Sequence, residues 1–193
     1  LQTKFYFAGS SEMFGKAKKT PQNEETPFHP RSPYGISKVA GFDLTRNFRE
    51  SYGIHASTGI LFNHESERRG FEFVTRKISR AASLIKLKKQ KYLELGNLEA
   101  KRDWGYAPEY IQAMWLMLQQ KKPDDYVVGT GETYSIKYFA ENAFDILGLN
   151  LNKYLKISKK FFRPAEVDLL VADSTKIKNK IGWKAKTKIN GLI

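Results

Sequence analysis

The sequence contains no cysteine, which excludes a disulfide framework and thiolate metal sites and accords with a cytoplasmic protein. Histidine occurs three times, at scattered positions, so a metal centre is not expected. There is neither a long apolar run nor a signal-peptide pattern, and the expectation is a soluble chain with no membrane partner. Acidic residues are scarce beside basic ones, 20 against 33, leaving a net charge of +13. That excess suggests an anionic partner, yet from Lys153 onward eleven Lys or Arg face only three acids, spread through a terminal helix and its flanks. Such lysine is more often a solvated face than a polyanion groove. Nucleic acid is therefore not expected, whereas a nucleotide diphosphate needs only a few arginines. The most telling absence is Gly-x-Gly-x-x-Gly between a first strand and helix, the place where backbone N–H groups meet a dinucleotide pyrophosphate. Gly129-Thr130-Gly131 supplies only the first two glycines and reads as a strand-to-helix turn. The chain thus reads as the carboxyl-terminal part of something larger.

What is present starts with Tyr34-Gly-Ile-Ser-Lys38, preceded by Ser10-Ser11-Glu12 at the end of the apolar run Phe5-Tyr6-Phe7-Ala8. With ten tyrosines and abundant lysine, about one Tyr-x-x-x-Lys is expected by chance, so context must decide. Ser32-Pro33 reads as a helix N-cap followed by proline at the first helical position, and Ile36, Val39, Ala40, Leu44 and Phe48 then recur at helical spacing. Tyr34 and Lys38 therefore share one helix face. A phenol, an ammonium, a hydroxyl and a carboxylate gathered at a strand end make a redox acid/base site.

Strand-like runs alternate with amphipathic helices, the pattern of an α/β protein with a parallel sheet. Strands are expected at Lys4 to Phe7, Gly59 to Phe62, Tyr92 to Leu95 and Tyr126 to Val128. Helices are expected from Tyr34 to about Tyr52, Phe73 to Leu87, Pro108 to Gln119 and Ser135 to Leu147. After the Gly59 strand comes the polar loop Asn63-His64-Glu65-Ser66-Glu67-Arg68-Arg69-Gly70, where open α/β sheets bind ligands. Residues 1–65 are expected to be the carboxyl-terminal half of a Rossmann-like domain. Residues 66–193 are expected to form mostly a smaller mixed α/β substrate domain, with some segments returning to the sheet. A chain that begins inside a parallel sheet should also expose an unpaired strand edge and apolar helix faces.

Several blocks in order resemble the GDP-mannose 4,6-dehydratases of the extended short-chain dehydrogenase/reductase family. They are Ser10 to Gly15, Thr26 to Gly35, Gly59 to Ser66, Phe73 to Ile78, Arg102-Asp103-Trp104-Gly105 and Arg163 to Val167. The resemblance implies a redox-neutral dehydration of GDP-mannose, with NADP reduced and reoxidised within one turnover. A free phenol has a pKa of about 10 and a nearby ammonium favours the phenolate. By resemblance, Lys38 supplies that charge and holds the nicotinamide ribose, and Tyr34 takes the hexose 4-hydroxyl proton. Glu12 removes the C5 proton as the 6-hydroxyl leaves. Ser10, where the family usually carries Thr, keeps a hydroxyl for the reacting oxygen.

By the same resemblance His64 and Arg69 contact NADP, and their loop reaches a neighbouring subunit, implying a homotetramer or at least a dimer. Asn63, Val74, Lys77, Arg102, Arg163 and Glu166 match sugar-nucleotide positions, the two arginines clamping the diphosphate and Glu166 accepting from a ribose or guanine donor. Taken alone, Val74 reads as core and Lys77 as helix surface; Trp104 and the Phe161-Phe162 pair read as packing residues. Two other readings stand beside the dehydratase: another sugar-nucleotide enzyme, epimerase or reductase, against which Glu12 counts, and a non-catalytic fragment or binding module.

Overall fold

The computed structural model describes residues 3–162 and 169–193. In chain order they form β1 (Phe5–Ser10), α1 (Pro33–Tyr52), β2 (Ala56–Leu61), β3 (Asn63–Glu65), α2 (Val74–Lys86), β4 (Leu93–Leu95), β5 (Lys101–Arg102) and β6 (Trp104–Tyr106). Then follow α3 (Ala107–Gln119), β7 (Asp125–Val128), β8 (Tyr134–Ser135), α4 (Ile136–Ile146), β9 (Leu155–Ile157), α5 (Thr175–Ile181) and α6 (Ile189–Leu192).

The central sheet is parallel, in the order β1-β2-β7. Alternate residues of its strands face opposite ways. Ile60 and Val127 pack with Phe42 of α1 and with Met13 and Phe14. Leu61, Tyr126 and Val128 pack with Tyr110, Ala113 and Met117 of α3, and with Ile177 and Trp183. Both faces are covered, so β2 is buried at every residue, as a parallel strand between helices should be. Arg49 locks α1 to the sheet: its two terminal nitrogens donate to the two carboxylate oxygens of Asp125 at 2.8 and 2.7 Å, and one also donates to the Ala56 carbonyl. A third core joins α2, α4 and β4 around Ile78, Leu93, Trp104, Phe139 and Phe144.

The long helices stand close to their expected spans, and α1 begins as anticipated: the Ser32 side chain accepts from the Gly35 N–H, Pro33 occupies the first turn, and Gly53 closes the helix at φ 63°. The first strand runs further than Lys4 to Phe7, to Ser10, because β2 continues to pair with it in register through Leu61. The expected terminal helix is instead two short ones, α5 and α6. Among the described residues β1 ends the sheet with no partner on its outer side. Alongside it α1 exposes Ile36, Leu44, Phe48 and Tyr52.

Trp104 is packed, 3% exposed and tilted against Phe139. The expectation that Phe161 and Phe162 are packing residues is corrected: they are 41% and 50% exposed. They fall in and just after a single 3-10 turn, Lys159–Phe161, which follows β9 outside the buried α2–α4 core. Gly129-Thr130-Gly131 is indeed a turn after β7. What holds it is Asp103, fully buried, whose carboxylate accepts from Thr130 N, Thr130 Oγ1, Gly131 N and Ala172 N at 2.6–3.1 Å.

Candidate functional site

Ser10, Leu61 and Val128 end the three sheet strands in one row, so the chain leaves all three at the carboxyl edge, where parallel sheets bind ligands. From that edge, beside α2, opens a cavity of about 640 Å³. Its walls include Glu12, Asn63, Arg69, Val74, Lys77 and Arg102. The structure thus gathers into one cavity six side chains that the sequence scatters over ninety positions. Arg163 and Glu166 lie outside the described residues.

Each wall residue has an evident local cause. Ser10 is the N-cap of the short turn Ser11–Met13, its hydroxyl accepting from the Glu12 N–H at 3.3 Å; the hydroxyl thereby fixes the backbone that presents Glu12. Asn63 opens β3, paired parallel to Trp104 of β6. Val74 starts α2 half-buried against the α2–α4 core, and Lys77 follows one turn later on the same helix. Arg102 is nearly buried in β5, opposite Tyr134 of β8, and donates to the Lys101 carbonyl. Its neighbour Asp103, tied to four donors, keeps the strand from sliding. Burial raises the Asp103 pKa, and the hydrogen bonds from Thr130, Ala172 and Gly131 oppose that rise.

Tyr34, Lys38, Ser10 and His64 stand apart from this cavity wall. Tyr34 and Lys38 occupy one exposed face of α1, the Lys38 Nζ lying 5.6 Å from the centre of the Tyr34 ring and donating to the Ala8 carbonyl at 2.9 Å. Lys38 is therefore anchored to β1, two residues short of Ser10. Buried Gly35 docks the helix on the turn that bears Glu12, because a Cβ there would stand 2.7 Å from the Glu12 carbonyl oxygen.

His64 points to the other side of the carboxyl edge. Its Nδ1 lies 2.8 Å from the Phe62 carbonyl, which can only accept, so Nδ1 carries the proton and Nε2 presents a lone pair. Its pKa is lowered, first by burial and then, against the help of the Phe62 bond, by the Arg69 charge. The ring stacks on Tyr110 at 4.9 Å. Tyr110 in turn reaches this position only because residue 105 lacks a side chain: a Cβ there would come within 2.4 Å of the Tyr110 ring.

Arg69 lines the cavity rather than extending outward. Its guanidinium lies 3.5 Å from the centre of the Phe73 ring, and its Nε is 3.1 Å from Glu65 Oε2. Glu65 also accepts from Thr75 Oγ1 at 2.6 Å and is itself buried. Burial raises the Glu65 pKa, while Thr75 and Arg69 work the other way. Sequence reasoning did not single out Glu65; two-residue spacing from Asn63 on β3 places it on the same side and was the available signal. Nor did it find Phe161, which forms part of the wall with its ring 3.4 Å from the Lys77 Nζ. No periodic pattern marks a ring in so short a turn.

Among the described residues no group of three or more His, Asp or Glu could hold a metal ion, and no helix is long and apolar enough to cross a membrane.

Comparison with known proteins places these features in context. The family model for GDP-mannose 4,6 dehydratase matches residues 1–193. GDP-mannose 4,6 dehydratase 1 of Arabidopsis thaliana is 55% identical over 190 residues, which is 98% of this chain and 52% of that protein. The GDP-mannose 4,6 dehydratase of Homo sapiens is 45% identical over 98% of this chain and 56% of its own length. The chain thus spans about half the length of these curated relatives. Among solved structures, RMD from Pseudomonas aeruginosa complexed with NADPH shares the fold at a TM-score of 0.91 and 23% identity, over 100% of this chain and 64% of the other. The dTDP-glucose 4,6-dehydratase of Bacillus anthracis in complex with NAD shares it at 0.87 and 20% identity, over 98% and 58%.

Proposed function

The chain belongs to the GDP-mannose 4,6-dehydratase family, and from that premise we propose that it carries the substrate cavity and the acid/base residues for dehydrating GDP-mannose to its 4-keto-6-deoxy product. The observation that supports this most directly is the cavity that unites Glu12, Asn63, Val74, Lys77 and Arg102, bringing a carboxylate and cations into one wall. Arg102 and Lys77 suit a diphosphate, with Arg163 and Glu166 completing the nucleotide contacts. The first 65 residues contribute the catalytic half and the remainder most of the nucleotide-binding half.

NADP is the cofactor of this proposal, and the residues present fit its nicotinamide end. An ammonium and a phenol stand together on an exposed helix face at the sheet's carboxyl edge, Lys38 anchored by Ala8, with the Nε2 lone pair of His64 nearby in sequence to the cavity loop. Arg69 adds a cation suited to phosphate. When bound, NADP supplies the hydride acceptor and later the donor. Tyr34 accepts the proton of the 4-hydroxyl, the Lys38 ammonium standing 5.6 Å from its ring, and Ser10 orients the reacting oxygen. Glu12, on the cavity wall, takes the proton from C5, made acidic by the adjacent keto group, and delivers it as the 6-hydroxyl departs as water. The retained carboxylate at position 12 favours this over an epimerase or reductase, which needs no elimination. The exposed apolar face of α1 supports a homo-oligomer as the working form.

The dehydration is proposed for the chain completed by an amino-terminal half bearing the Gly-rich NADP-binding segment that this sequence lacks, so the test is incubation of that completed protein with GDP-mannose and NADP, followed by mass spectrometry for loss of one water from the sugar nucleotide. A dehydrated product is expected. An unchanged mass, or epimerised GDP-hexose of the same mass, would refute the proposal.

A further inference from the structure

The Lys77 ammonium sits in an unusual seat. It lies 3.4 Å from the centre of the Phe161 ring, and the same ring carries Lys160 at 4.8 Å, whose own charge is balanced by Glu94 at 2.6 Å. Phe161 is brought there by backbone: Ser158 N donates to the Leu95 carbonyl, extending the β4–β9 pairing. Gly96 leaves the room, since a Cβ at 96 would stand 2.6 Å from the Phe161 carbonyl oxygen. A phenyl ring left 41% exposed realises only part of the gain of full burial. Held over an ammonium, it has an electrostatic use.

Lysine is a poor ligand until its stem is immobilised, because four rotatable bonds must be ordered to bring one charge to a phosphate. A side chain already held in place binds without that loss. We infer that Phe161 is the positioning residue for Lys77: its ring holds the ammonium at the cavity wall, ready for the diphosphate of the sugar nucleotide, and Gly96 is what lets the ring sit there. The inference rests on the reading of the cavity given above. Burial first and the Lys160 charge second lower the Lys77 pKa, with the Glu94 charge opposing them; an incoming diphosphate adds an anionic partner that the ring cannot supply.

The test combines GDP binding by calorimetry with the NMR shifts of the Lys77 ε-methylene, in Phe161→Leu, Phe161→Tyr, Gly96→Ala, Lys77→Met and the Phe161→Leu/Lys77→Met double variant. Circular dichroism establishes folding of each. In the wild type the ε-methylene protons should be displaced upfield by the ring; the displacement should vanish in Phe161→Leu, shrink in Gly96→Ala and persist in Phe161→Tyr. GDP affinity should fall about fivefold in Phe161→Leu, recover in Phe161→Tyr, and show no further loss when Phe161→Leu is added to Lys77→Met. Equal losses from Phe161→Leu with and without Lys77 would overturn the inference and make the ring an independent wall or base-stacking surface. Absence of the upfield shift overturns it too. A clear ring shift with no GDP binding by the wild type refutes the reading of the cavity, and the positioning role falls with it.

Discussion

A Cβ at position 35 would stand 2.7 Å from the Glu12 carbonyl oxygen and 3.0 Å from Pro30 Cβ, so the helix bearing Tyr34 and Lys38 docks on the turn bearing Glu12 only because Gly35 has no side chain. Two halves of the proposed acid/base machinery meet at that contact. Backbone cannot retreat as a flexible side chain can, so Gly35→Ala should cost about 1–3 kcal/mol as an overpacking change and displace Tyr34 relative to Glu12. Gly53, with nothing within 4 Å of its virtual Cβ but a φ of 63°, is the control: Gly53→Ala should cost about 1 kcal/mol from strain alone and spare the site. Urea unfolding beside turnover separates the two. Equal loss of activity from both would contradict the role of the contact.

Asp103 accepts four hydrogen bonds from two segments, the Thr130-Gly131 turn and Ala172, while fully buried. Asp103→Ala leaves Thr130 N, Gly131 N and Ala172 N without this acceptor; Ala172 N is buried and its orphaning costs about 1–3 kcal/mol, whereas exposed Gly131 and half-buried Thr130 can turn to water. A total destabilisation of about 1–3 kcal/mol is expected by denaturant titration. Because Arg102 precedes Asp103, GDP affinity should drop as well, even under conditions where the variant stays folded.

Much of this was legible from the chain. The Ser32 cap and Pro33, the apolar spacing of α1, and the runs that became β2 and β7 are local signals, and they led to the helix and sheet positions found. Strands of two or three residues, such as β3, β5 and β6, carry no period long enough to read. They exist because partners elsewhere in the chain pair with them. The same holds for the site. The cations and Glu12 were found through blocks of sequence, whereas Glu65, Tyr110 and Phe161 matter through neighbours far along the chain, and nothing in their immediate sequence announces it.

Glu65 offers a pH test. Its folded pKa is raised, mainly by burial, above an unfolded value of about 4.3. A group raised in this way contributes stability that is fully present below the unfolded pKa and is lost as pH rises through the folded pKa. Glu65→Gln, which resembles the protonated acid, should therefore cost most at low pH and least at neutral pH. It should also free Arg69, whose Nε faces Glu65 at 3.1 Å. Thermal melts from pH 4 to pH 8 on both proteins decide the matter; a penalty that grows toward neutrality would show that the Arg69 pairing outweighs desolvation.

His64 should be neutral at pH 7 with the proton on Nδ1, as its contact to the Phe62 carbonyl requires. Nitrogen-15 correlation spectra report the tautomer directly. The lowered pKa has the opposite sense to that of Glu65: neutral His64 contributes stability above the unfolded value of about 6.5, and that contribution is lost as pH falls through the folded pKa. His64→Gln should flatten the decline of stability below pH 6.5. Tyr110→Leu, which removes the stacked ring at 4.9 Å, should expose the imidazole and move its titration back toward the ordinary value.

The separation between the Tyr34–Lys38 face and the cavity wall predicts that binding and chemistry can be divided by substitution. Tyr34 is 54% exposed and neither it nor Lys38 lines the cavity, whereas Arg102 does. Tyr34→Phe removes one hydroxyl and leaves the nucleotide wall intact, so GDP affinity should stay within about twofold while dehydration falls by about 10²-fold or more, the usual contribution of a positioned acid/base. Lys38→Met should behave alike, with an additional loss of NADP affinity. Arg102→Met should do the reverse, weakening GDP by about tenfold or more through loss of a charge-assisted contact. Calorimetry with GDP, run beside the water-loss assay, reads both quantities. If Tyr34→Phe weakened GDP as much as Arg102→Met, the two faces would form a single binding surface, and the assignment of Tyr34 to proton transfer would have to be abandoned.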